Sequence, residues 1–239
     1  CLFYKIPLFF FYISKRIKKK YISICFIIFG LIVLQGIVGW YMVQSGLTQD
    51  ITVSHYRLSI HLSIAIIIIS SIFWLIKNIL LNTNKLFFKL TINNLPFQIF
   101  ILLIFIQIII GAFVSGLDAG KIYQTWPMMG SNYLPDDLVS KKITSVLEFD
   151  NHSLVQFYHR NLAYLITLYI IFLGIFIYKK KIANLYLSLK ILIFFLLLQI
   201  ILGILTLITG LNIYLASMHQ ITSVLLVLSA LNLYYYRAK

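Results

Sequence analysis

Acidic side chains are nearly missing from this chain: six Asp and Glu stand against twenty Lys and Arg in 239 residues. Charged residues of both signs reach only 11%, where a soluble domain carries roughly a quarter. A water-exposed globule is thereby excluded. Cysteine is almost missing too. Cys1 and Cys25 are the only two, both in or beside apolar segments, so neither a disulfide framework nor a thiolate zinc motif can be built. They read as packing residues.

What is present is apolar. The chain is 61% hydrophobic, with a mean hydropathy of +0.96. Six runs, Tyr21–Val43, Ile60–Ile76, Pro96–Ser115, Phe157–Tyr178, Leu189–Thr209 and Ile213–Tyr236, are each about long enough to cross a bilayer as a helix, which takes roughly 20 residues. The fold class that follows is an all-α polytopic membrane protein with six full transmembrane helices.

A net charge of +14 could suggest nucleic acid, but its placement points elsewhere. Lys15, Arg16, Lys18, Lys19 and Lys20 share one connection, Lys77, Lys85 and Lys89 the next but one, and Lys179, Lys180, Lys181 and Lys190 a later one, with Arg237 and Lys239 closing the chain. All six acids (Asp50, Asp118, Asp136, Asp137, Glu148 and Asp150) lie in the intervening connections. This alternation is the positive-inside pattern. The partner it implies is membrane lipid, and no nucleic acid.

Leu2–Ile13 is too short to span and precedes its positive charges, whereas a secretory signal carries them first. It reads as a helix stub, the last stretch of a longer helix, and the chain reads as a fragment. The long connection Gly116–Gln156 holds Pro127 and Pro135, half of the prolines, and is expected to be a structured loop over the bundle.

One internal repeat stands out. Gln35 is followed by Gly39 and Gly46, and Gln199 by Gly203 and Gly210, at the same spacings; each stretch then turns and re-enters the membrane with a histidine. Gln107, Gly111 and Gly116 form a weaker copy. Such modules mark tandem halves related by pseudo-symmetry, although small residues four apart on a membrane helix commonly mean close helix packing.

Ionisable groups inside a bilayer are costly and functional by default. With helices starting near Val53, Ser153 and Asn212, the rise of about 1.5 Å per residue sets His61, His159 and His219 roughly 9–12 Å below one surface, and His55 only about 3 Å in. Histidines at one depth can approach in pairs, which suits a haem iron with two axial imidazoles. Zinc is disfavoured, since no cysteine or carboxylate lies at that depth. A proton relay and purely structural histidines are the competing readings. Arg160 follows His159 directly, and Arg57 lies one turn before His61. Either guanidinium suits a haem propionate, or equally reaches to lipid phosphate. Spacing from the glycine equates His55 with His219; depth and local context equate His61 with it, and depth is the firmer guide.

At these residues the chain resembles the heme A synthase family, in the branch of mitochondria and their bacterial relatives. The resemblance rests on Leu34–Gly46, Ser54–Leu62, Gly116-Leu-Asp-Ala-Gly120 with Thr125-Trp-Pro127, Gln156–Arg160 and Met218–Gln220. It implies a pseudo-symmetric pair of four-helix bundles. Residues 1–90 would be the remainder of the N-terminal half, on the substrate-haem side. Residues 91–239, including the outer loop 116–156, would form the C-terminal half, on the cofactor-haem side. The family's first outer loop, with an acidic residue and a haem-ligating histidine, would precede Cys1.

The implied activity is oxidation of the methyl group of heme O to a formyl group, giving heme A for cytochrome oxidase assembly. Heme b would be the cofactor and heme O the substrate. His159 and His219, with Arg160 and Arg57, would bind the cofactor. His61 would be catalytic, facing the substrate, and His61, His159 and His219 would be the metal ligands. Asp118 and Trp126 would shape or cap the loop. A heme O-producing farnesyltransferase and an electron-transfer protein are the implied partners, with room for a homo-oligomer. The membrane would be the mitochondrial inner or bacterial cytoplasmic one, with the histidines toward its outer side. A cytochrome b-like electron carrier and a proton-coupled transporter are the alternative functions.

Overall fold

The computed structural model describes residues 2–46, 53–139 and 148–238. These residues form α1 (Leu2–Ile13), α2 (Lys19–Gly46), α3 (His55–Leu80), α4 (Leu95–Gly116), a short α5 (Asp136–Val139), α6 (His152–Lys179), α7 (Tyr186–Ile208) and α8 (Ile213–Arg237). Each of the six apolar runs falls within one long helix, Thr209 excepted. Six helices are long and apolar enough to span a membrane, and no strand occurs among the described residues. The protein is a multi-pass, all-α membrane protein. Helices suit this sequence because a segment in lipid must satisfy its own backbone groups.

Helix ends follow local chemistry. The Asn151 side chain accepts from the Leu154 N–H at 3.0 Å to start α6, and that of Asn212 accepts from the Tyr214 N–H at 3.0 Å to start α8. At the far ends the chain turns through left-handed residues: Lys15 (φ 55°) after α1, Asn82 (φ 48°) after α3 and Lys181 (φ 50°) after α6. Each closes a pair of backward hydrogen bonds. After α6 these are Lys181 N–H to Tyr178 O at 3.0 Å and Ile182 N–H to Ile177 O at 3.1 Å, the capping arrangement that satisfies orphan carbonyls.

Two compact units divide the chain, Cys1–Lys89 and Leu90–Lys239. In the first, α2 and α3 pack as an antiparallel pair. At their lysine-bearing end the Tyr21 hydroxyl reaches the carbonyls of Asn78 (3.0 Å) and Thr83 (3.1 Å), and Trp74 Nε1–H donates to Lys85 O at 2.8 Å. In the second unit α4 packs on α6 and α8, and α7 on α8. Its core lies toward the lysine-bearing end, where Phe97, Phe100, Leu173, Ile177, Leu189, Leu192, Tyr234 and Tyr235 are fully buried.

Toward the other end the packing loosens. Buried side chains stop on α4 between Ile104 and Ala112, on α6 between Gln156 and Ile166, on α7 between Leu196 and Leu202, and on α8 before Thr222. One band across the second unit is therefore left without a buried core. His159 and His219 stand in it.

Candidate functional site

The repeat turns out to be a seat for an imidazole. In each copy the glycine and the glutamine one turn before it belong to one helix, and the histidine comes from a neighbouring helix of the same unit. A Cβ added at Gly39 would lie 2.9 Å from His61 Cε1, one at Gly111 3.0 Å from His159 Cε1, and one at Gly203 2.9 Å from His219 Cε1. The glycines give the ring room to lie against the backbone. Helix approach and histidine placement are thus one device.

The glutamine amide faces the ring edge. Gln35 Nε2 lies 3.2 Å from His61 Nε2, Gln199 Nε2 lies 3.1 Å from His219 Nε2, and Gln107 Nε2 lies 3.4 Å from His159 Nε2 while also donating to His159 O at 3.0 Å. The spacing explains the match. Residues four apart on a helix share a face, so the ring that meets the glycine also meets the glutamine. The copy at Gln107 looks weaker in sequence only because its second glycine is displaced, and the seat does not use that glycine. His61, not His55, occupies the seat in the first unit. His55 is buried and its ring lies tilted against Tyr56, with ring centroids 4.0 Å apart.

Several polar atoms in these seats are buried without a hydrogen-bond partner among the described residues: Nδ1 of His61 and His159, and Oε1 of Gln35, Gln107 and Gln199. His219 differs, because its Nδ1 lies 3.1 Å from the carbonyl oxygen of Gln199. In the second unit His159 projects from α6 and His219 from α8.

The arginines fall out differently from each other. Arg57 stacks over the Tyr41 ring at 5.2 Å. Arg160 is engaged by the loop. Its Nη1 donates to Thr125 O (2.8 Å) and Met128 O (3.2 Å), and its Nη2 to Tyr123 O (2.9 Å). Its Nε–H is buried without a partner among the described residues. Gln156, one turn earlier, donates to the same Tyr123 carbonyl at 2.9 Å. One face of α6 therefore fastens the signature loop directly beside His159. Sequence reasoning gave Arg160 to a propionate and missed this tether, since backbone carbonyls leave no mark in composition.

The loop itself carries a short 3-10 turn at Ala119–Lys121, a cis Trp126–Pro127 bond and an isolated bridge between Met129 and Asn132. Gly120 is needed where Leu211, in the α7–α8 turn, packs on it: a Cβ there would lie 2.8 Å from Leu211 Cδ2. Asp118, expected to shape the loop, takes a left-handed conformation (φ 52°) and pairs with Lys121 at 2.7 Å on the surface. Trp126 is exposed.

A model of the COX15-CtaA family, described as "Cytochrome oxidase assembly protein", matches residues 1–231. The chain is 44% identical over 234 residues to the Heme A synthase of Pelagibacter ubique (strain HTCC1062), covering 95% of this chain and 66% of that protein. It is 40% identical over 235 residues to the Heme A synthase of Rickettsia bellii (strain OSU 85-389), covering 94% and 67%. With the Heme A synthase of Wolbachia sp. subsp. Brugia malayi (strain TRS) the figures are 37% over 226 residues, 94% and 66%. The chain thus spans about two thirds of the length of the curated relatives it matches.

Proposed function

Because this chain belongs to the COX15-CtaA family of cytochrome oxidase assembly proteins, we propose that the complete protein oxidises the methyl group of heme O to a formyl group, giving heme A. The observation that carries this reading is the imidazole seat, present three times and twice within one unit. The donor set fits a haem. Among the described residues no three His, Cys, Asp or Glu side chains gather as a bare metal ion requires, whereas a haem asks the protein only for axial imidazoles. The loosely packed band around His159 and His219 is where a large flat ligand would lie.

His159 and His219 would hold the cofactor, heme b, and His61 would face the substrate, heme O. Bound haem supplies the redox chemistry, for which no side chain here is equipped. The chain's own residues orient and shield. The glycines set each ring against a helix, and the glutamines fix the ring edge. Arg57 would meet a propionate. Arg160 acts mainly by fastening the loop that screens the site from water, with its Nε–H left to meet an acceptor. A heme O-producing farnesyltransferase and an electron-transfer protein would be the working partners. The membrane would be the bacterial cytoplasmic membrane or its mitochondrial counterpart, with the seats toward the outer face.

Product analysis tests this reading. The complete gene, expressed beside a heme O source, should yield heme A in extracted pigments. A b-type band in the reduced-minus-oxidised spectrum without any formyl haem would favour an electron carrier instead. A spectrum without a b-type band would remove the haem reading altogether.

A further inference from the structure

We infer that Gln199 is a positioning residue that competes with iron for the Nε2 lone pair of His219. The inference rests on the haem reading above and concerns how tightly this seat takes its ligand.

Hydrogen-bond chemistry fixes the arrangement. A backbone carbonyl can only accept, so His219 Nδ1, 3.1 Å from Gln199 O, carries the ring proton. A neutral imidazole protonated at Nδ1 has its one lone pair on Nε2. Gln199 Nε2 lies 3.1 Å from that atom, so the amide presents an N–H to it. The reverse amide orientation would set Oε1 against the lone pair. Gln199 Oε1 is accordingly buried without a partner among the described residues. A single lone pair cannot serve both an amide hydrogen and an iron. The glutamine that orients the ring therefore also guards its ligating atom.

Two neighbouring contacts separate this effect from ordinary packing. The Nδ1 bond is made to backbone, so it survives any substitution of the Gln199 side chain. Gly203 keeps the ring against α7 in the same way, with Cε1 2.9 Å from where a Cβ would lie. The other seats are less constrained. His61 and His159 have no partner at Nδ1 among the described residues, and the Gln107 amide is shared with a backbone carbonyl. The effect is therefore greatest at Gln199.

The test is spectrophotometric titration of the full-length protein in detergent with heme b, read by Soret absorbance and the low-spin bis-imidazole signature. Gln199→Met removes the competing donor at nearly constant volume, and affinity should rise about fivefold, the equivalent of one net hydrogen bond. Gln199→Glu offers only acceptors and favours a second proton, at Nε2, while Nδ1 keeps its own, so affinity should fall and the low-spin signature fade. A merely structural glutamine would move both variants downward. Unchanged or weaker binding by Gln199→Met overturns the inference. If Gln199→Met does not fold, Gln199→Asn, one methylene short of the ring, must tighten binding instead, and equal or weaker binding there overturns it. Wild-type protein lacking a bis-imidazole signature would mark failure of the haem reading itself.

Discussion

Alanine cannot replace a glycine that faces an imidazole unless ring or helix moves. At Gly203 the added carbon would stand 2.9 Å from His219 Cε1, closer than side-chain carbons come, and at Gly111 3.0 Å from His159 Cε1, at the edge of that limit. Overpacking of this kind costs about 1–3 kcal/mol. Gly203→Ala and Gly111→Ala should each lower thermal stability in detergent by that order and weaken the b-type band, whereas Gly30→Ala, with nothing within 4 Å, should change neither. His159→Ala or His219→Ala should abolish the band. His55→Ala should leave it intact, because His55 lies tilted against Tyr56 and takes no part in a glycine seat. A band lost with His55 and kept without His219 would refute the assignment.

Between loop and helix, the deciding feature is the join on α6. Arg160 donates to three carbonyls of residues 123–128, and hydrogen bonds from a charged donor contribute about 1.5–3 kcal/mol each net of exchange with water. Arg160→Met should therefore expose this segment to added protease, seen as faster cleavage between Tyr123 and Gly130. If Arg160 instead served a propionate directly, the variant would lose haem affinity with cleavage unchanged.

Some of this was legible in the sequence and some was not. Helix positions were, since the apolar runs are dense. The apolar run of α3 begins only at Ile60, because the first turn (His55, Tyr56, Arg57) is too polar to register, whereas the start placed near Val53 falls close to the observed His55. Gln35 and Gly39 were legible as a motif, but their use was not, because a spacing does not say what stands opposite it. Gln107 and Gly111 look weak as a copy because the next glycine is Gly116, which only ends a helix.

For the molecule as a whole, the sidedness of six spans is the property to measure. On α6 the lysine-bearing turn at Lys179–Lys181 and the described loop residues 148–151 lie at opposite ends. Single cysteines at Ser131 and Asn184 should label from opposite faces of intact membranes, with Ser131 reached from outside. Equal labelling from one side would dismantle the topology. The helix stops give this a further meaning. Lys15 and Lys181 are both the left-handed residues that end α1 and α6 and members of the basic runs that orient the chain. Each such residue would then act twice in the life of the protein: its charge would hold the connection back during insertion, and its left-handed backbone shuts the helix. Glycine at position 181 would divide the two roles. Lys181→Gly keeps the stop, for which glycine is the better residue, and loses one orienting charge, so any defect should appear as misinserted chains rather than as less stable folded ones.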